Sequence, residues 1–129
     1  ADFCGLADSL AQIFAASDVE KIVEGLLDYS EEGDPGAAAL CASIARHCPT
    51  SLTAIVLSHR QARQKRDVRA ILEDDLALAR YMVMRPDFAE GVRAVLVDKD
   101  KTPKWEPARL ADVDSAALER VLGEAEALG

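Results

Sequence analysis

The chain has 129 residues, half of them apolar, 29% charged and 5% aromatic, a composition that fits one compact globular domain able to fold without a disulfide or metal staple. Its net charge of −8 excludes binding to nucleic acid or to an anionic membrane through bulk positive charge. The three cysteines lack CxxC spacing, which argues against a disulfide framework or a patterned zinc site and fits a reducing compartment.

The longest strictly apolar run, of the kind seen at Ala37 to Ala42, is far shorter than the about 18 residues a transmembrane helix needs, so no membrane span is expected. The charge is uneven: residues 1–58 hold nine acids and two bases, whereas residues 59–129 hold fourteen and thirteen. The second part is the better place for an anion to dock. No basic and apolar leader opens the chain at Ala1, which leaves two readings, no secretory signal or a start that has been removed.

The hydrophobic period is helical nearly throughout, and the fold class it predicts is all-α, with six to seven amphipathic helices in a single domain over residues 1–129. Leu6, Leu10, Ile13 and Phe14 mark a short first helix. Ser17 and Glu20 form an S-x-x-E capping box ahead of Val19, Ile22, Val23, Leu26 and Leu27, which predicts a helix over 18–29. After the break at Ser30 to Asp34, Asp34 and Pro35 offer a cap and a first-turn proline for a helix ending near Pro49.

Thr50 or Ser51 then caps a helix through Leu52, Ile55 and Val56, and Asp67 caps one through Val68, Ile71, Leu72, Leu78, Ala79 and Met82. Beyond Pro86, Asp87 as cap with Glu90 repeats the capping-box pattern and sets Phe88, Val92, Val95 and Leu96 on one face. Gly91 within that helix implies close packing against another backbone. From Asp98 to Asp112 the period is lost, and Pro103 and Pro107 favour an extended crossing segment pinned by Trp105. A last helix over 115–127 uses Leu118, Val121, Leu122 and Ala125, with Asp114 as cap.

Candidate chemistry is sparse. His47, Cys48, Cys41 and His59 are the soft metal ligands nearest one another, yet Cys41 and Cys48 lie seven residues apart on one apolar face, where small core residues belong. The consecutive acids Glu73, Asp74 and Asp75 point in different directions around a helix and read as a solvated face rather than an acid–base pair. Arg60, Arg63, Lys65, Arg66 and Arg69 cluster across one turn, either as an ordinary solvated turn or as a contact for a phosphate or an acidic surface. Gly-rich phosphate cradles, GxSxG elbows and HExxH motifs are absent, so no catalytic residue and no metal ligand is assigned.

The segment from Arg85 to Trp105, RPDFAEGVRAVLVDKDKTPKW, resembles the tail of 3-hydroxyisobutyryl-CoA hydrolases, where D-F-x-E-G-V-R-A-x-L-x-D-K-D-x-x-P-x-W is characteristic. Phe14 to Glu24 and the stretch Cys48-Pro-Thr-Ser-Leu52 extend the likeness over about residues 14–108. More distantly, the helix carrying Glu90 and Gly91 is similar to the tail of enoyl-CoA hydratases, which usually have an aromatic residue where this chain has Val95. That difference favours the hydrolase branch over a hydratase or isomerase.

The resemblance implies the C-terminal helical region of a longer crotonase-like enzyme that hydrolyses an acyl-CoA thioester in valine catabolism. Its oxyanion hole and catalytic carboxylates would lie upstream, in a core these residues do not include. Lys99 is the best match to the lysine that the resemblance places near CoA, and the neighbouring Lys101 could substitute for it, because two residues are inserted here relative to hydratases. No cofactor is implied, because CoA is part of the substrate. The implied partners are the acyl-CoA, reached through that core, and the core itself or a second copy of the chain. The implied compartment is the mitochondrial matrix in a eukaryote or the cytoplasm in a bacterium. The rival reading is a stand-alone helical interaction module.

Overall fold

The computed structural model describes residues 8, 10–13, 18–65 and 67–128, with side chains described as far as Gly123. All regular structure among them is helical, as the hydrophobic period predicts. The composition suggested one domain, and the chain's contacts divide into two compact units, Ala1–His47 and Cys48–Gly129.

In the first unit residues 10–13 are helical; Leu6 and Phe14, assigned to the same helix from sequence, lie outside the described residues. Helix α1 (Val19–Glu31) buries Ile22 and Leu26, and helix α2 (Pro35–Ile44) buries Ala37. Ser17 is outside the described residues, and the N-cap of α1 is Asp18, whose carboxylate accepts the Glu20 N–H at 2.8 Å. Gly33, at φ +100°, supplies the left-handed backbone that lets the chain turn after α1. Asp34 and Pro35 cap and open α2 as expected, with Asp34 accepting the Ala37 N–H at 3.0 Å. The helix stops at Ile44, short of Pro49. Cys41 and Cys48 therefore share no helix: Cys41 is in α2, and Cys48 opens the next one.

The second unit is built from α3 (Pro49–Gln64), α4 (Val68–Val83), α5 (Pro86–Val92) running into a π-helical turn (Arg93–Val97), and α6 (Ser115–Leu128). Ala54 and Leu57 of α3, Leu78 of α4, and Leu118 and Leu122 of α6 form its core, with Tyr81, Met82, Val113 and Val121 around them. Neither Thr50 nor Ser51 caps α3. Pro49 occupies the first helical position and makes Cys48 the N-cap, while Thr50 is buried in the first turn. Asp67 caps α4 through the Arg69 N–H at 3.0 Å, and Asp114 caps α6 through the Ala117 N–H at 3.0 Å, both as predicted.

The acidic run of α4 is not a uniformly solvated face. Asp74 is buried, and its Oδ2 accepts from Lys65 Nζ at 2.8 Å. Its Oδ1 finds no partner among the described residues, so Lys65 is the carboxylate's charged support. The rest of the basic turn is distributed outward: Arg60 pairs with Glu119 at 3.5 Å and Arg69 with Glu73 at 3.1 Å, while Arg66 lies outside the described residues. Removing one partner of a buried ion pair strands the other charge and costs about 3–5 kcal/mol, whereas replacing both by apolar groups is often neutral. Lys65→Met should therefore lower stability strongly, and Lys65→Met with Asp74→Leu should recover most of the loss. Urea unfolding followed by circular dichroism checks this, and equal losses in the single and double variants would contradict a coupled buried pair.

Candidate functional site

The site that the structure builds is the loop from Asp98 to Arg109 and the helix that holds it. Helix α5 begins with Arg85 as N-cap and Pro86 as first residue, so Asp87, expected as the cap, falls one position inside the helix. There it caps nothing and is buried. Its Oδ1 accepts the Glu106 N–H at 2.7 Å, and its Oδ2 accepts the Cys48 S–H at 3.3 Å. Arg85 donates from Nη2 to the Glu106 carbonyl at 2.9 Å and from Nη1 to Tyr81 Oη at 3.3 Å, with its guanidinium 5.7 Å from the centre of the Tyr81 ring. Both backbone groups of Glu106, which precedes a cis Pro107, are thus held from the start of α5.

The near end of the loop is held by Arg93. Its Nη1 donates to Asp98 Oδ2 and to Asp100 Oδ2, each at 2.7 Å, and its Nε donates to Glu90. The hydrogen bond from Arg93, reinforced by the Thr102 N–H, holds the Asp100 carboxyl below its ordinary value of 3.8. The three carboxylates in turn raise the Arg93 guanidinium, those of Asp100 and Asp98 most. Between these anchors, Lys99 and Lys101 are exposed and both left-handed, at φ +56° and +57°. Such backbone costs a non-glycine residue about 1–2 kcal/mol, and residues held there are concentrated at functional sites. The Lys101 N–H donates to the Ala94 carbonyl at 2.9 Å, which fixes the turn while both ammonium groups face solvent.

The predicted face of α5 is real but inverted in burial. Phe88, Val92, Val95 and Leu96 do share a side, and it is the exposed one: Phe88 is 56% and Leu96 67% exposed. The opposite side, with Asp87, Gly91 and Ala94, is turned inward. Gly91 does mark a close approach, but to a side chain: a Cβ there would lie 3.4 Å from the Trp105 ring, against which the crossing segment rests. Trp105, expected to pin the segment, is half-buried. Helix α4 likewise leaves Val68, Leu72, Leu76 and Val83 exposed.

Among the described residues no three potential metal ligands are gathered, and each of the two histidines commits one ring nitrogen to a carbonyl four residues back. The Nδ1–H of His47 donates to the Ser43 carbonyl at 2.7 Å and that of His59 to the Ile55 carbonyl at 2.8 Å. The two buried carboxylates among the described residues, Asp74 and Asp87, are engaged by Lys65 and by Cys48 and Glu106. A loop that presents two ammonium groups from a pinned backbone suits docking of an anion better than proton transfer. Lys99 and Lys101 were singled out by the resemblance, whereas the sequence reading gave Arg85, Asp87 and Arg93 no part in holding their loop. Pro86 was the available signal, since a proline at the first helical position makes its predecessor the cap.

This chain belongs to the enoyl-CoA hydratase/isomerase family, whose model matches residues 2–122. Within that family its similarity runs to proteins named 3-hydroxyisobutyryl-CoA hydrolase. It is 38% identical to the mitochondrial protein of Mus musculus over 86% of this chain and 28% of that protein, and 36% identical to that of Homo sapiens over the same shares. It is 31% identical to 3-hydroxyisobutyryl-CoA hydrolase 1 of Arabidopsis thaliana over 92% of this chain and 32% of that protein. The chain spans less than a third of the length of these relatives, and the mammalian ones are mitochondrial by name.

The lowered Asp100 carboxyl sets the sign of one pH effect. A carboxyl whose folded value lies below its unfolded one stabilises fully above the unfolded value, and that contribution is lost as pH falls through the folded one. Carbon-detected NMR titration of Asp100 should give a midpoint below 3.8, moving up towards it in Arg93→Met. A midpoint at or above 3.8 in the unmodified chain would show that the Arg93 clamp does not hold in solution.

Proposed function

We propose that this chain is the helical, substrate-proximal part of an acyl-CoA thioester hydrolase acting on 3-hydroxyisobutyryl-CoA, and that Lys99, with Lys101 beside it, supplies the charged contact to the CoA end of the substrate. The observation that carries this reading is the similarity, over most of this chain, to relatives bearing that name. The reaction would release a free hydroxy acid and CoA. The acylated end would be handled elsewhere in a longer protein, in keeping with the share of the relatives that this chain spans. The compartment would be the mitochondrial matrix in a eukaryote and the cytoplasm in a bacterium.

The exposed apolar sides of α4 and α5 support a role within something larger, because unpartnered patches of this kind mark surfaces that other protein covers. A free-standing interaction module would share that feature. What favours the enzyme reading over it is the pair of left-handed lysines, since packing on a partner needs no cation held in a strained turn.

The test compares the 129-residue chain with the longer enzyme that this reading calls for, following thiol release from 3-hydroxyisobutyryl-CoA. The long form should turn over and the chain alone should not; turnover by the chain that survives purification would overturn the reading. In the long form, Lys99→Ala should raise KM by about two- to fivefold at low salt, the range expected of an exposed charge pair. It should leave kcat nearly unchanged, because a contact remote from the carbonyl is present equally in ground and transition states. The effect should fade as salt screens the charge, and an unchanged KM at low salt would remove Lys99 from the binding surface.

A further inference from the structure

We propose that Asp87 and Arg85 are positioning residues for acyl-CoA binding, which act by clamping the backbone of Glu106 and so fixing where the lysine loop stands. The proposal rests on the reading of Lys99 and Lys101 as the CoA contact. Its basis is the direction of the polar atoms. An Asp one residue inside a helix can stabilise the helix terminus while staying in water, yet this one is buried and spends its two oxygens on the Glu106 N–H, at 2.7 Å, and the Cys48 S–H, at 3.3 Å. Arg85, two residues earlier, takes the other polar group of the same residue, the Glu106 carbonyl, at 2.9 Å.

Burying a carboxylate is costly unless it is hydrogen-bonded, and an apolar residue at position 87 would spare that cost while still packing α5. What the polar pair adds is location. Glu106 is held at one point, Asp98 and Asp100 are held by Arg93 at another, and the two left-handed lysines lie in the same loop near the second anchor. Arg93 acts on the lysines' immediate neighbours, whereas Asp87 and Arg85 prevent the far end of the loop from swinging. Trp105, adjacent to Glu106 and stacked over Gly91, moves with that end.

Two measurements test this. In the 129-residue chain Trp105 is the single tryptophan, and Asp87→Ala should shift its emission to the red while helical circular dichroism is retained; unchanged emission would overturn the clamp. In the longer enzyme, Asp87→Ala should raise KM for the acyl-CoA by about two- to fivefold, no more than loss of the exposed lysine contact itself, with kcat within about twofold. It should add nothing in a Lys99→Ala, Lys101→Ala background. Asp87→Asn, which keeps an acceptor for the Glu106 N–H, should restore most of the wild-type KM.

If the double lysine variant raises KM and Asp87→Ala does not, the positioning role falls while the lysine reading stands. If the lysine variant leaves KM unchanged, the lysine reading falls and the positioning role with it. Arg85→Met, which releases the Glu106 carbonyl without touching Asp87, should reproduce the KM effect and serves where Asp87→Ala does not fold. An Arg85→Met protein that is folded and has wild-type KM would count against the clamp.

Discussion

The carboxylate of Asp87 is the constraint on which the second unit's geometry turns. It lies one residue inside α5, out of water, and meets two parts of the chain far from it in sequence: the start of α3 through Cys48 and the end of the long loop through Glu106. Hydrogen bonds to a charged acceptor are stronger than neutral ones and lose most when one partner is removed. A single buried side chain therefore ties the beginning of α3, the beginning of α5 and the return of the loop together. Nothing apolar could make the same connection, because both groups that the carboxylate meets are donors and would lose their acceptor.

The loop needs such ties. Segments of about 12 residues without regular structure are uncommon in compact domains, and where they occur they are usually functional or disordered. Here order comes from three side chains on or next to one short helix. Arg93 gathers Glu90, Asp98 and Asp100, Arg85 and Asp87 take the two polar groups of Glu106, and Gly91 leaves room for the Trp105 ring. The two left-handed lysines are an unfavourable local conformation that this frame sustains, with the Lys101 N–H bonded back to Ala94.

How far the sequence could be read depended on whether a local rule or a tertiary contact decided each position. The helices were legible from their period, and Asp34, Asp67 and Asp114 were legible as caps because each lies just before its helix. Thr50, Ser51 and Asp87 were misread for one reason. Each is a good capping residue one or two places after a proline, and the proline takes the first helical position and leaves the cap to Cys48 or Arg85. Asp74 was misread because burial of an acid depends on a base arriving from another element, and no spacing rule pairs Lys65 with it across a helix boundary. The apolar side of α5 was grouped correctly, but periodicity says only which residues share a side. Which side faces inward was decided by Asp87, Gly91 and Ala94, two small residues and an acid that a hydrophobicity pattern places outside.

That inversion makes α5 a junction. Its inward side holds the lysine loop through Asp87 and Gly91, with Arg93 just past its end, while Phe88 and Val92, followed by Val95 and Leu96 of the π-helical turn, are presented to solvent. Packed helices behave as rigid elements, because side chains that fill space closely do not deform by degrees. Protein that covered the outward side would therefore fix the position of α5 and, through it, of Glu106 and the two lysines. On the reading proposed for this chain, the apolar surface and the cationic loop are two ends of one lever. The apolar end would be seated by the remainder of a longer enzyme, and the cationic end would be carried with it to the substrate. The π-helical turn Arg93–Val97 takes part in both, with Val95 and Leu96 in the apolar surface and Arg93 on the loop. An inserted turn of this kind shifts the side chains after it around the helix axis, which keeps Val95 to Val97 with the exposed side while Arg93 reaches back over the loop.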